Sequence, residues 1–209
     1  MQPFTRLSAV PVALPDADID TDIIFPARFL LITAKQGLGR YAFFERRYDA
    51  AGAERPDFVL NQPAGRTPSI LVVGENFGCG SSREQAVWTL ADLGVRCLIA
   101  PRFGEIFQAN CFKNGVLAVT VGTEAWRRLA HDASAGREIE VDLDRQIVHR
   151  AEGEVIVFRT PAATRDALLN GWDDIEMILR HDCDEIDRFE QRQRLAAPWL
   201  YTPTPLDGD

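Results

Sequence analysis

The sequence predicts a mixed α/β fold with a mostly parallel central sheet, additional short antiparallel strands and a helical C-terminal tail. Three observations carry that prediction. Between residues 69 and 121, apolar runs of strand length alternate with helical segments, the pattern of parallel strands joined by crossover helices. Residues 138–159 hold three short segments that alternate like antiparallel strands. The last forty or so residues read as helical and increasingly charged.

Taken in order, residues 2–12 read as an opening strand. Residues 15–22, Pro-Asp-Ala-Asp-Ile-Asp-Thr-Asp, pack turn-forming and acidic residues into one loop. In the run from Ile23 to Leu30, Pro26 excludes a central strand and leaves an edge or a loop. Residues 31–66 follow no regular period. The run Ser69-Ile70-Leu71-Val72-Val73-Gly74 fits a buried strand, and residues 75–80 form a Gly-rich turn. A helix is expected over residues 82–93, with Ala86, Val87, Leu90 and Leu93 on one face and Gly94 as its left-handed terminator.

A second strand over 96–100, a short helix over 104–110 and a third strand over 116–121 complete the parallel unit. Thr123 stands where it would cap a helix carrying Trp126 and Leu129. The antiparallel strands are expected over 138–143, 146–150 and 154–159. Helices are expected over 163–170 and 172–180, parted by Gly171, and over 183–195. We expect one domain over 1–184 and a charged tail over 185–209 with too little apolar surface for its own core. No internal repeat or low-complexity tract is present.

With 46% hydrophobic and 26% charged residues, the composition is that of a soluble globular protein. A net charge of -8 argues against nucleic acid or an anionic membrane as partner, since both repel an acidic chain. No stretch approaches the roughly 18 apolar residues of a membrane span, and the first residues lack an apolar signal region, so a cytoplasmic protein is expected. Cys79, Cys97, Cys111 and Cys183 are too widely spaced for a Cys-x-x-Cys pair, and His131, His149 and His181 are equally scattered. No metal bound by this chain is expected.

Chemistry concentrates in Asn76-Phe77-Gly78-Cys79-Gly80-Ser81-Ser82-Arg83-Glu84-Gln85, which sets glycines, two hydroxyls and a guanidinium at a strand-to-helix turn. Glycines let backbone N–H groups converge, a helix N-terminus adds partial positive charge, and Arg83 is suited to grip a carboxylate bidentately. A phosphate suits the same features. The plain alternative is that Ser81 and Ser82 only cap the helix, with Glu84 or Gln85 reaching back. Neither Gly-x-Gly-x-x-Gly nor the Walker A spacing is present, so nucleotide binding is a minor alternative.

This run, with Ile99-Ala100-Pro101-Arg102-Phe103 and Ile106-Phe107-Gln108-Ala109-Asn110, resembles the small subunits of bacterial 3-isopropylmalate dehydratases, in the aconitase superfamily. The resemblance extends to residues 20–30 (Asp-Thr-Asp-Ile-Ile-Phe-Pro-Ala-Arg-Phe-Leu), to residues 56–61, to residues 170–175 and to His181-Asp182, hence over nearly the whole chain. It implies an aconitase-type swivelling β/β/α domain that closes over a [4Fe-4S] cluster held by a separate large subunit, with a dicarboxylate as substrate. No cofactor would be bound by this chain, and the scarcity of clustered thiolates is consistent with that.

By the same resemblance Ser81 is the base, supported by N–H groups from Gly80 to Arg83, and Arg83 binds a substrate carboxylate. Ser82 would bind substrate or cap the helix, and Glu84 would orient Arg83. Arg28 would help recognise the group on the substrate's variable carbon, its alternative being a solvated surface arginine. Of Phe29, Leu30 and Leu31, two are expected in the core. Two departures stand out: Gln85 where the family commonly has histidine, and Cys111-Phe112-Lys113-Asn114-Gly115 in place of Ser-Phe-Asn-Asn-Gln. Related small subunits act on citraconate, homoaconitate or dimethylmaleate-like diacids through the same framework. Those substrates, and a non-catalytic anion-binding or regulatory paralogue, are the alternatives.

Overall fold

A strand buried along its whole length must have a hydrophobic partner on each face, and β3 (Ile70–Val73) has both. Leu71 and Val73 point into one core, while Ile70 and Val72 point into another. The computed structural model describes residues 1–201. Its β2 (Val12–Leu14), β3, β4 (Cys97–Ala100) and β5 (Leu117–Thr120) form a parallel sheet in that order. Leu71 lies opposite both Val12 and Leu98, and Leu98 opposite Ala118, so this register aligns the apolar alternation across the sheet.

The second sheet is antiparallel. It runs β1 (Arg6–Ala9), β6 (Ile139–Asp142), β7 (Ile147–His149), β8 (Val155–Val157), and its Val141, Val148 and Ile156 share a core with Ile70, Val72 and Ile99. The opposite face of the parallel sheet packs on α1 (Thr21–Ile24), α3 (Glu84–Leu93) and α4 (Glu105–Lys113) through Ile24, Leu90 and Phe107. The result is β/β/α layering.

The opening segment is two strands rather than one over 2–12. β1 belongs to the antiparallel sheet and β2 to the parallel one, because Pro11 has no N–H with which to extend a ladder. The long connection from β2 to β3 contains α1, α2 (Phe44–Arg47) and single 3-10 turns. Buried Arg47 and Asn61 tie it together: Arg47 Nε donates to Asn61 Oδ1 at 3.0 Å, and Asn61 Nδ2 donates to the Arg47 carbonyl at 2.7 Å.

α3 ends at Gly94 in the left-handed conformation, as its apolar period predicts, and α4 runs three residues beyond the expected end. Thr123 does not cap α5 (Thr123–Ser134). It is the first helical residue, with Gly122 at the cap position. Asp132 on α5 is fully buried and is gripped by Arg150 Nε at 2.6 Å and Nη2 at 2.9 Å. α6 (Ala162–Asn170) closes the first compact unit, which ends at Gly171.

The second unit begins at Trp172. Asp173 and Glu176 form a reciprocal capping box that starts α7 (Asp174–Ala196), a single helix where the pattern suggested two. No proline or glycine interrupts it. Position 185, the expected start of the tail, lies inside α7, and the last residues of that expected tail, 202–209, lie outside the described ones. Among the described residues no helix is long and apolar enough to cross a membrane.

Candidate functional site at the C-terminal ends of the parallel strands

The loops that leave β2, β3 and β4 run side by side. From the first, Asp18 N donates to the Glu75 carbonyl at 2.8 Å and Thr21 N to that of Cys79 at 3.1 Å, while Gly78 N donates back to Ile19 at 2.7 Å. Towards the third, Gly104 N donates to the Phe77 carbonyl at 2.9 Å. The Gly-rich turn is thus the middle of three strapped loops, outside the carboxyl ends of the strands, where parallel sheets place ligands.

Two glycines are required here by geometry. Gly78 has φ +74°, and a Cβ on it would lie 2.1 Å from the Phe107 ring. Gly80, at φ +84°, turns the chain outward so that Ser81 and Ser82 stand exposed. Neither serine caps α3. The cap position belongs to Arg83, which makes no side-chain capping bond, and the hydroxyls of both serines enter no hydrogen bond among the described residues.

The N–H groups of Gly80, Ser81 and Ser82 enter no backbone hydrogen bond among the described residues, whereas that of Arg83 donates to the Ser81 carbonyl at 2.9 Å. The expected set of converging donors therefore loses its last member. Glu84 does not orient Arg83 either. Its carboxylate accepts from Asn114 Nδ2 at 2.8 Å and Trp88 Nε1 at 3.2 Å, and the Asn114 bond holds its pKa below the ordinary value. The partner of Arg83 is Asp22, which hydrogen-bonds its Nη1 and also accepts from Ala27 N at 2.8 Å. The Arg83 bond, with the Ala27 bond second, lowers the pKa of Asp22. Asp22 sat in the acidic loop that stood out in the sequence, but only the fold brings it to Arg83.

Arg28 follows Ala27 on a 3-10 turn, so Asp22 links its backbone to Arg83. Its guanidinium turns elsewhere. It pairs with Glu45 at 2.5 Å and lies over the rings of Phe29 and Phe44, in the wall of an open cavity of about 560 Å³. Phe29 and Leu30 pack on the core while Leu31 is 93% exposed, which agrees with two of the three being core.

Residues 1–124 match the aconitase C-terminal domain family. The 3-isopropylmalate dehydratase small subunit of Rhodospirillum centenum is 48% identical over 201 residues, covering 95% of this chain and 98% of that protein. That of Paramagnetospirillum magneticum is 46% identical over 202 residues, covering 96% and 100%. The chain belongs to the 3-isopropylmalate dehydratase small-subunit family. A solved structure of 3-isopropylmalate dehydratase (leuD) from Methanocaldococcus jannaschii shares the fold, with a TM-score of 0.64 at 24% identity, covering 88% of this chain and 99% of that one.

Cys79, Cys97, Cys111 and Cys183 are all free thiols. Burial raises the thiol pKa of Cys97 and Cys111, and burial followed by the charges of Asp20 and Asp18 raises that of Cys79. Among the described residues no group of three or more His, Cys, Asp or Glu side chains is placed to hold a metal.

Proposed function

We propose that this chain is the small subunit of a 3-isopropylmalate dehydratase, interconverting 2-isopropylmalate and 3-isopropylmalate in leucine biosynthesis, in the cytoplasm, with a large subunit that carries the [4Fe-4S] cluster. The observation that carries this reading is identity of 46–48% over nearly the full length of both chains to proteins of that name. The presence of Ser81 and Arg83 on an exposed turn at the sheet's carboxyl edge supports it.

This chain's share of the chemistry is to move a proton and hold a carboxylate. Ser81, as alkoxide, takes the proton from the carbon next to a substrate carboxylate. The C–H electron pair becomes the C=C bond of isopropylmaleate as hydroxide leaves the neighbouring carbon, and water then adds in the opposite sense. A serine is a competent base only if its anion is stabilised. The N–H groups of Gly80, Ser81 and Ser82 and the positive end of α3 are the available sources.

As negative charge builds on the carboxylate, Arg83 offers Nε and Nη2, since only Nη1 is engaged with Asp22. Ser82 is a further exposed hydroxyl on the same turn, and Arg28 is assigned to the variable group, a role for which its guanidinium must leave Glu45. The test is anaerobic turnover of this chain mixed with its reconstituted large subunit on isopropylmalate, citraconate and homoaconitate, each protein alone serving as control. Isopropylmalate turnover by the mixture alone is expected. Turnover of another diacid in its place would change the substrate, and no turnover on any would overturn the reading.

A further inference from the structure

Thr21 and Asp22 approach the turn from the loop beside it and hold the two residues to which the reaction is assigned. Thr21 is 2% exposed, and its Oγ1 donates to the Ser81 carbonyl at 2.9 Å while its N–H donates to the Cys79 carbonyl at 3.1 Å. Arg83 N donates to the same Ser81 oxygen at 2.9 Å. That carbonyl, on an exposed residue, thus has two protein donors where one and solvent would satisfy it. The second donor adds direction, because fixing the peptide plane after Ser81 fixes where its Cα–Cβ bond points and so restricts its Oγ to the arc of rotamers about that bond.

Asp22 acts on the neighbouring side chain. One carboxylate oxygen is shared between Ala27 N–H and Arg83 Nη1, so the guanidinium is tied at one corner to a turn of fixed geometry. Its Nε and Nη2 enter no hydrogen bond among the described residues. A second carboxylate is matched by that open edge.

We propose that Thr21 and Asp22 are positioning residues: Thr21 places the backbone from which the Ser81 hydroxyl projects, and Asp22 presents the free edge of Arg83 to the substrate carboxylate. This rests on the assignment of Ser81 as base and Arg83 as carboxylate ligand. The two roles separate kinetically. Misaiming the base weakens the transition state alone, while freeing the arginine weakens substrate and transition state together.

The test measures steady-state turnover of 3-isopropylmalate by the reconstituted complex for Thr21→Val, Thr21→Ser, Asp22→Asn, Ser81→Ala and Arg83→Lys, with melting temperature and assembly with the large subunit recorded for each. Thr21→Val keeps the shape and removes the hydroxyl. It is expected to lower kcat about tenfold with KM within about twofold, and Thr21→Ser to restore kcat. Asp22→Asn keeps an acceptor for Ala27 and is expected to raise KM about tenfold with kcat nearly retained. Equal kcat in Thr21→Val and Thr21→Ser, or an unchanged KM in Asp22→Asn, would overturn the inference while Ser81→Ala and Arg83→Lys remain impaired. If those two are themselves unimpaired, the underlying assignment fails and takes the inference with it.

Discussion

Glu84 in the first turn of α3 and Asn114 just beyond α4 are joined by a 2.8 Å hydrogen bond from amide to carboxylate. The bond locks the start of the helix that follows the reactive turn to the end of the next helix. Asn114→Ala is expected to destabilise the protein by about 1 kcal/mol in urea unfolding at neutral pH. The Asn114 bond holds Glu84 below its ordinary value of 4.5, so its contribution is fully present above that value and is lost as pH falls through the lower folded value. The wild-type advantage should therefore narrow in acid, and a gap that stays constant from neutral pH down into strong acid would show that Glu84 is not the partner that matters.

Ser81→Ala in the reconstituted enzyme should lower kcat by about 100-fold or more, the usual scale for losing a positioned base. Ser81 is exposed and caps nothing, so its melting temperature should match wild type. A rate within a few fold of wild type would remove it from the role of base.

Arg83→Lys keeps the charge and removes the planar fork. KM for isopropylmalate should rise about tenfold, because an ammonium cannot reproduce two parallel N–H bonds to a carboxylate while still reaching Asp22. Isothermal titration of the complex with substrate provides an independent reading.

Gly78→Ala forces a methyl group to within 2.1 Å of the Phe107 ring on a backbone at φ +74°. Strain and overpacking together should cost about 3 kcal/mol, visible as a lowered urea midpoint with an unchanged slope. Because Phe107 belongs to the core beneath the turn, activity should suffer as well.

Asp132 and Arg150 form a buried pair between α5 and the end of β7. Asp132→Ala leaves the Arg150 guanidinium in the core with only Glu154 to balance it, and should cost about 3 to 5 kcal/mol. Adding Arg150→Met should recover part of that loss, which a double-mutant cycle in urea would measure.

Much of this was legible beforehand where the information is local. The Ile70–Val73 run, the apolar face of α3 and Gly94 as its terminator each need only a few neighbouring residues to be read. The turn from Asn76 to Gln85 was recognisable for the same reason. Less legible were readings that depend on competition between nearby partners, among them the capping alternative for Ser81 and Ser82 and the expected roles of Thr123 and Glu84. Ser81, Ser82 and Thr123 all have the chemistry of caps, yet none caps, because the backbone enters each helix later or earlier than the residue type suggests. Glu84 lies next to Arg83 in sequence, but the start of the helix sends its carboxylate to Asn114 and Trp88.

By itself the sequence determined the α/β class, the parallel unit, the family and the turn that bears Ser81 and Arg83, since periodicity and motif are properties of contiguous residues. Only the tertiary structure decided that β1 and β2 join different sheets, that Thr21 holds the Ser81 carbonyl and that Asp22 holds Arg83. Those partners are about sixty residues apart in the chain. No local period encodes such a pairing, which exists only because parallel strands bring the loops at their carboxyl ends to one edge of the sheet.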